Sequence, residues 1–86
     1  MKLDGIASFV AVAEAGSISE AARTLRLSKS VVSERLAELE RSLGATLLHR
    51  TTRRMSVTED GAAFLERARR ILREVSEAAT DLAERR

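Results

Sequence analysis

The side chains best placed to do chemistry in this sequence are cations and hydroxyls. Ser28, Lys29, Ser30, Ser33 and Glu34 fall in one short stretch, LRLSKSVVSERL, and Arg50, Arg53 and Arg54 crowd a second, HRTTRR. Serine hydroxyls and backbone amides grip phosphate oxygens, and guanidinium forks bind phosphate bidentately. Lysine and glutamate are long enough to reach base edges, a glutamate accepting from a cytosine amino group. Catalysis is the weakest reading, because no cysteine and a single histidine leave no nucleophile-base pair and no metal set. His49 is read as a surface or strand residue, and neither a cofactor nor a metal is expected.

Charge along the chain supports a polyanionic partner. The net charge of +2 conceals a local excess: residues 23 to 56 carry eight cations and three anions, whereas the flanking segments are slightly acidic. A cationic surface confined to one region favours a specific anionic partner over general adhesiveness. Eighty-six residues support one small domain. Without cysteine its stability must come from packing, and with few aromatic residues the core falls to Leu, Val, Ile and Ala. The apolar run IASFVAVAEA is not read as a secretory signal, since MKLDG before it has no net positive charge. No apolar stretch reaches the roughly 18 residues that span a bilayer, so a soluble, cytoplasmic protein is expected.

Four helices and a hairpin must position these groups. Ile6, Phe9, Val10 and Ala13 form one stripe of a helix over about 2–15, which Gly16 ends. Ser19 is the expected cap of a short second helix through Ala21, Ala22 and Leu25, with Ile18 as a hydrophobic staple. Ser28 caps a third helix over about 29–42, closed by Gly44. Leu47 and Leu48, a basic tip, then Met55 and Val57 read as a two-stranded hairpin. Thr58 caps a final helix of roughly 28 residues, about 42 Å long. Its positions Leu65, Ala68, Leu72, Val75, Ala79 and Leu82 follow a 3-4-3-4-3 spacing, the seam of a coiled coil, and a second copy is expected to cover it.

Ala22, Leu25, Leu27 and Val32 have the spacing of a helix-turn-helix, with Arg26 where a turn glycine is common. On a wheel of the third helix Val32, Leu36, Leu39 and Leu43 share one side, leaving Ser30, Ser33, Glu34, Ala37 and Arg41 outward. Small side chains at 30, 33 and 37 let such a helix enter the major groove.

The order FVAVAEAGSISEAARTLRLSKSVVSERLAELERSLGATLLHRTTRRMSVTEDG resembles the N-terminal winged helix-turn-helix of LysR-type transcriptional regulators, over essentially the whole chain. The resemblance implies a mainly α fold, a winged helix-turn-helix over 1–58 followed by a linker helix over 59–86 that pairs two subunits. It implies double-stranded DNA as partner and a small-molecule effector bound only by a C-terminal domain that these residues do not include; the two-fold pairing of the seam in turn implies an inverted-repeat site, and of a fragment and a free-standing domain, the fragment is favoured because the last residues show no helix stop signal. The family's recognition helix commonly reads SQPAVSRQI: Ser28 and Ser33 carry over, whereas Lys29 replaces Gln, Ser30 replaces Pro and Glu34 replaces a basic residue. In the wing, Arg53 is the candidate for the minor groove or its flanking phosphates.

A helical dimer that binds an acidic protein is the main alternative. It explains the seam but not the small outward face of the third helix or the basic hairpin. A single-strand or RNA binder usually stacks bases on aromatic rings, yet Phe9 and Phe64 both lie in apolar stripes.

Overall fold

The computed structural model describes residues 1–50 and 54–86; the expectation for Arg53 lies outside the described residues. Helix α1 (Leu3–Ala15) is the central element, packed by α2 (Ile18–Leu25), α3 (Lys29–Leu43) and α4 (Glu59–Glu84). Because neighbours cover it on several sides, its buried face is wider than the stripe read from sequence: Val12 is buried beside Ile6, Phe9 and Val10, while Ala13 is half-buried. At Gly16 the backbone turns left-handed, with φ 75°, and its N–H donates to the Val12 carbonyl, a conformation that costs a non-glycine residue.

That turn also relocates the next cap. Ser17, extended immediately after Gly16, accepts from the Glu20 amide at 3.0 Å, and α2 starts at Ile18. Ser19, the expected cap, is an exposed residue of the first turn. The spacing Ser17-x-x-Glu20 is that of a capping box, but the Glu20 carboxylate pairs with Arg23 at 3.1 Å instead of reaching back.

Between α2 and α3 the chain reverses through Arg26, which takes the left-handed conformation (φ 58°, ψ 45°) without being glycine. The Leu27 amide donates to the Ala22 carbonyl at 2.9 Å, closing the turn. Ser28 then accepts from Val31 N–H at 3.2 Å and caps α3 as expected. Strands β1 (Leu48–Arg50) and β2 (Met55–Val57) pair antiparallel, with Leu48 opposite Val57, His49 opposite Ser56 and Arg50 opposite Met55. Thr58 accepts from the Gly61 amide at 2.9 Å to start α4.

Phe9, Val12, Val32, Leu36, Leu39, Leu47 and Leu48 form the interior, and Phe9 meets Phe64 with ring centroids 5.8 Å apart. The first turns of α4 belong to this core. Gly61 and Ala68 are buried, and Phe64, Leu65 and Leu72 are half-buried against it. From Val75 onward the helix stands clear, giving a molecule 48 Å long but only 25 × 19 Å across. The continuous seam of the sequence is therefore split: Leu65, Ala68 and Leu72 pack within the chain, while Val75, Ala79 and Leu82 are exposed. No helix among the described residues is long and apolar enough to cross a membrane.

Candidate nucleic-acid interface

Helix α3 is anchored by Val32, Leu36 and Leu39, all buried, and this fixes what it shows to solvent. Lys29, Ser30, Glu34 and Arg41 are exposed, and Ser33 and Ala37 are half-buried along the edge. The outward surface thus carries Ser30 among the long polar residues with the small Ser33 and Ala37 along one edge, a shape that a groove about 12 Å wide can admit. Ser28 is exposed at the helix start, where the unpaired amides of the first turn and the helix dipole favour an anion. Among the described residues Glu34 makes no ion pair, whereas neighbouring Arg35 lies 3.9 Å from Asp4.

The hairpin places Arg50 at the end of β1 and Arg54 just before β2, both exposed. It is held from two sides. On the α1 side, the Met55 amide donates to the Gly16 carbonyl at 3.2 Å. On the α3 side, a carboxylate that the sequence reading passed over does the holding: Glu40 Oε2 accepts from the Leu47 amide at 2.7 Å and the Leu48 amide at 3.3 Å. Its Oε1 lies 3.8 Å from the Arg50 guanidinium, and the side chain is only 19% exposed. Such a role leaves one trace in sequence, an acid in the last helical turn, where the dipole disfavours negative charge.

Two helices crossing through a tight turn, a third helix behind them and a basic hairpin alongside define a winged helix-turn-helix. Residues 3–62 match the family described as "Bacterial regulatory helix-turn-helix protein, lysR family", and the chain belongs to that family. It is 49% identical over 74 residues to the HTH-type transcriptional regulator CrgA of Neisseria meningitidis, covering 86% of this chain and 25% of CrgA. It is 54% identical over 70 residues to an HTH-type transcriptional regulator of Xanthomonas campestris, covering 81% of this chain and 20% of that protein. The chain spans about a quarter or less of the length of these curated relatives. Among solved structures, the CbnR_DBD-DNA complex superposes with a TM-score of 0.88 at 39% identity, covering 98% of this chain and 95% of that one. The BenM_DBD/catB site 1 DNA complex gives 0.93 at 31% identity, covering 98% and 93%.

Proposed function

We propose that this chain binds double-stranded DNA sequence-specifically, as the DNA-reading part of a bacterial, cytoplasmic transcriptional regulator, and that it works as a homodimer. The observation that carries the reading is the small-residue outer face of α3 lying beside a basic hairpin on one side of the molecule; two of its structural relatives are complexes with DNA. In this reading α3 lies in the major groove, Ser28, Ser30 and Ser33 contact backbone and bases, and Lys29 and Glu34 read base edges. Arg50, Arg53 and Arg54 hold the backbone or the minor groove from the wing. Residues 1–58 read DNA, 59–86 pair the subunits, and effector sensing belongs to a further domain.

The dimer argument starts from the free half of α4. Ile71, Val75 and Leu82 are 38%, 47% and 54% exposed, and with Phe64 and Ala78 they form one helical stripe. An open groove beside it is lined by Phe64, Arg67, Arg70, Ile71, Glu74 and Val75. Charge then selects an orientation. Residues 67 to 73 of α4 carry Arg67, Arg69, Arg70 and Arg73 and no acid, while residues 74 to 84 carry Glu74, Glu77, Asp81 and Glu84 and no cation. Antiparallel pairing sets each basic segment against a partner's acidic segment, whereas parallel pairing sets like against like. A two-fold axis through the stripe relates the two copies of α3, so the site is an inverted repeat with half-sites about one helical turn, or a multiple, apart.

Fluorescence anisotropy with duplex, single-stranded DNA and an acidic protein as ligands tests the DNA reading. Duplex binding should dominate, with log K falling at a slope of about −5 to −9 against log salt if a dimer neutralises roughly 6 to 10 phosphates. A flat salt response, or equal binding of the acidic protein, contradicts it.

A further inference from the structure

We infer that Glu40 is a positioning residue for DNA binding, acting through Arg50 by holding the wing at a fixed angle to the recognition helix. The inference rests on the DNA-binding reading above. Glu40 stands in the last turn of α3, four residues before the Gly44 cap, where the helix dipole opposes an anion. Its placement is therefore electrostatically unfavourable within its own helix, and it is offset from outside: the Leu47 and Leu48 amides, at the entry to β1, donate to one oxygen and the Arg50 guanidinium approaches the other. One carboxylate thus holds the backbone where β1 begins and draws its last side chain toward the same point.

The result is a shallow cleft between helix and wing, lined by Ala37, Glu40, Arg41, Gly44, Thr46 and Arg50. Arg41 stands on the helix side and Arg50 on the wing side, the latter with half its side chain still exposed. A backbone phosphate seated there meets both cations, while Glu40 faces the amides at the base. An unrestrained Arg50 would lose side-chain entropy on every binding event; an aimed one has already lost it.

The sign of the effect separates this role from simple electrostatics. Removing an anion beside a polyanion-binding surface should tighten binding. Removing a positioning group should weaken it. The experiment measures affinity for a mixed-sequence 30-base-pair duplex across a salt series for wild type, Glu40→Gln, Arg50→Ala and the double variant, each checked by thermal melting and read below its transition. Arg50→Ala is expected to lose about tenfold, the loss of one charge-assisted contact, and to make the salt slope shallower by about one. Glu40→Gln should lose several-fold with the same change of slope, and the double variant should be no weaker than Arg50→Ala alone. Glu40→Asp, which keeps the charge but is one methylene shorter, should also bind more weakly, and it serves as an independent arm if Glu40→Gln fails to fold. Binding by Glu40→Gln at or above the wild-type level, an unchanged slope, or losses that multiply in the double variant would overturn the role. Failure of the wild type to bind duplex removes the DNA reading itself.

Discussion

Replacing Gly61 by alanine pits two physical effects of opposite sign against each other. Gly61 sits in the first turn of α4, and by helix propensity alone the substitution should stabilise the helix by about 1 kcal/mol. The structure predicts the reverse. A Cβ at this position collides with the Leu47 carbonyl oxygen, lies 2.9 Å from the Leu47 carbonyl carbon and 3.2 Å from the Val57 Cβ. The obstacle is backbone and is itself tied down: Leu47 is buried, its amide donates to Glu40, and its carbonyl accepts from the Thr58 amide at 3.0 Å. Relief requires α4 to lift from the Leu47 backbone by about an ångström, which breaks the Thr58 bond and loosens Phe64 and Ala68 against the core. Losing one hydrogen bond costs about 1 kcal/mol and imperfect packing about 1 to 3 more, so a net loss of about 1 to 3 kcal/mol remains after the propensity gain. For a domain of this size that lowers Tm by roughly 5 to 20 °C. Thermal melting followed by circular dichroism measures it, with Ala62→Gly, an exposed neighbour, as the propensity control. A Gly61→Ala variant that melts at or above wild type would refute the close approach of α4 to the Leu47 backbone.

Arg26→Gly should raise stability by about 0.5 to 1 kcal/mol, because the left-handed turn strains a non-glycine residue by more than glycine adds to the freedom of the unfolded chain; urea unfolding reads this. Ser8 is fully buried with its hydroxyl unpartnered among the described residues, so Ser8→Ala should gain about 1 kcal/mol in the same assay. Glu34→Ala should cost about 1 to 3 kcal/mol of discrimination at one base pair while leaving nonspecific binding intact or stronger, as judged by competition between matched duplexes. Val75→Asp should abolish self-association in sedimentation without lowering the Tm measured at concentrations where wild type is also monomeric, since Val75 stands clear of the chain's own core whereas Leu72 packs against it.

Local patterns made most of this fold legible. Helical stripes and the caps Ser28, Thr58, Gly16 and Gly44 all mark real boundaries, because each acts through atoms three or four residues away. Ser17 and Ser19 compete within one turn, and the left-handed Gly16, by leaving Ser17 extended, decides for Ser17. What the sequence does not display is contact across the chain. Glu40 looks like one more charge on a solvated helix until the chain turns at Gly44 and brings the Leu47 and Leu48 amides onto it. The seam of α4 is likewise continuous in sequence, but apolar spacing does not distinguish a chain's own core from a partner's surface. Because α1 lies beneath its first turns, Ala68 is consumed internally while Val75 and Leu82 remain outside. The basic region was legible through its charge; how Arg50 is aimed was not.

The central claim is that two copies of α3, related by an α4-mediated two-fold axis, read duplex DNA. Selecting bound sequences from a random duplex pool, with wild type and Val75→Asp side by side, tests it most directly. The wild type should enrich an inverted repeat whose half-sites are separated by about 10 base pairs or a multiple, and Val75→Asp should enrich single half-sites or bind the repeat far more weakly. No enriched sequence from the wild type, or the same single half-site from both proteins, would contradict the account.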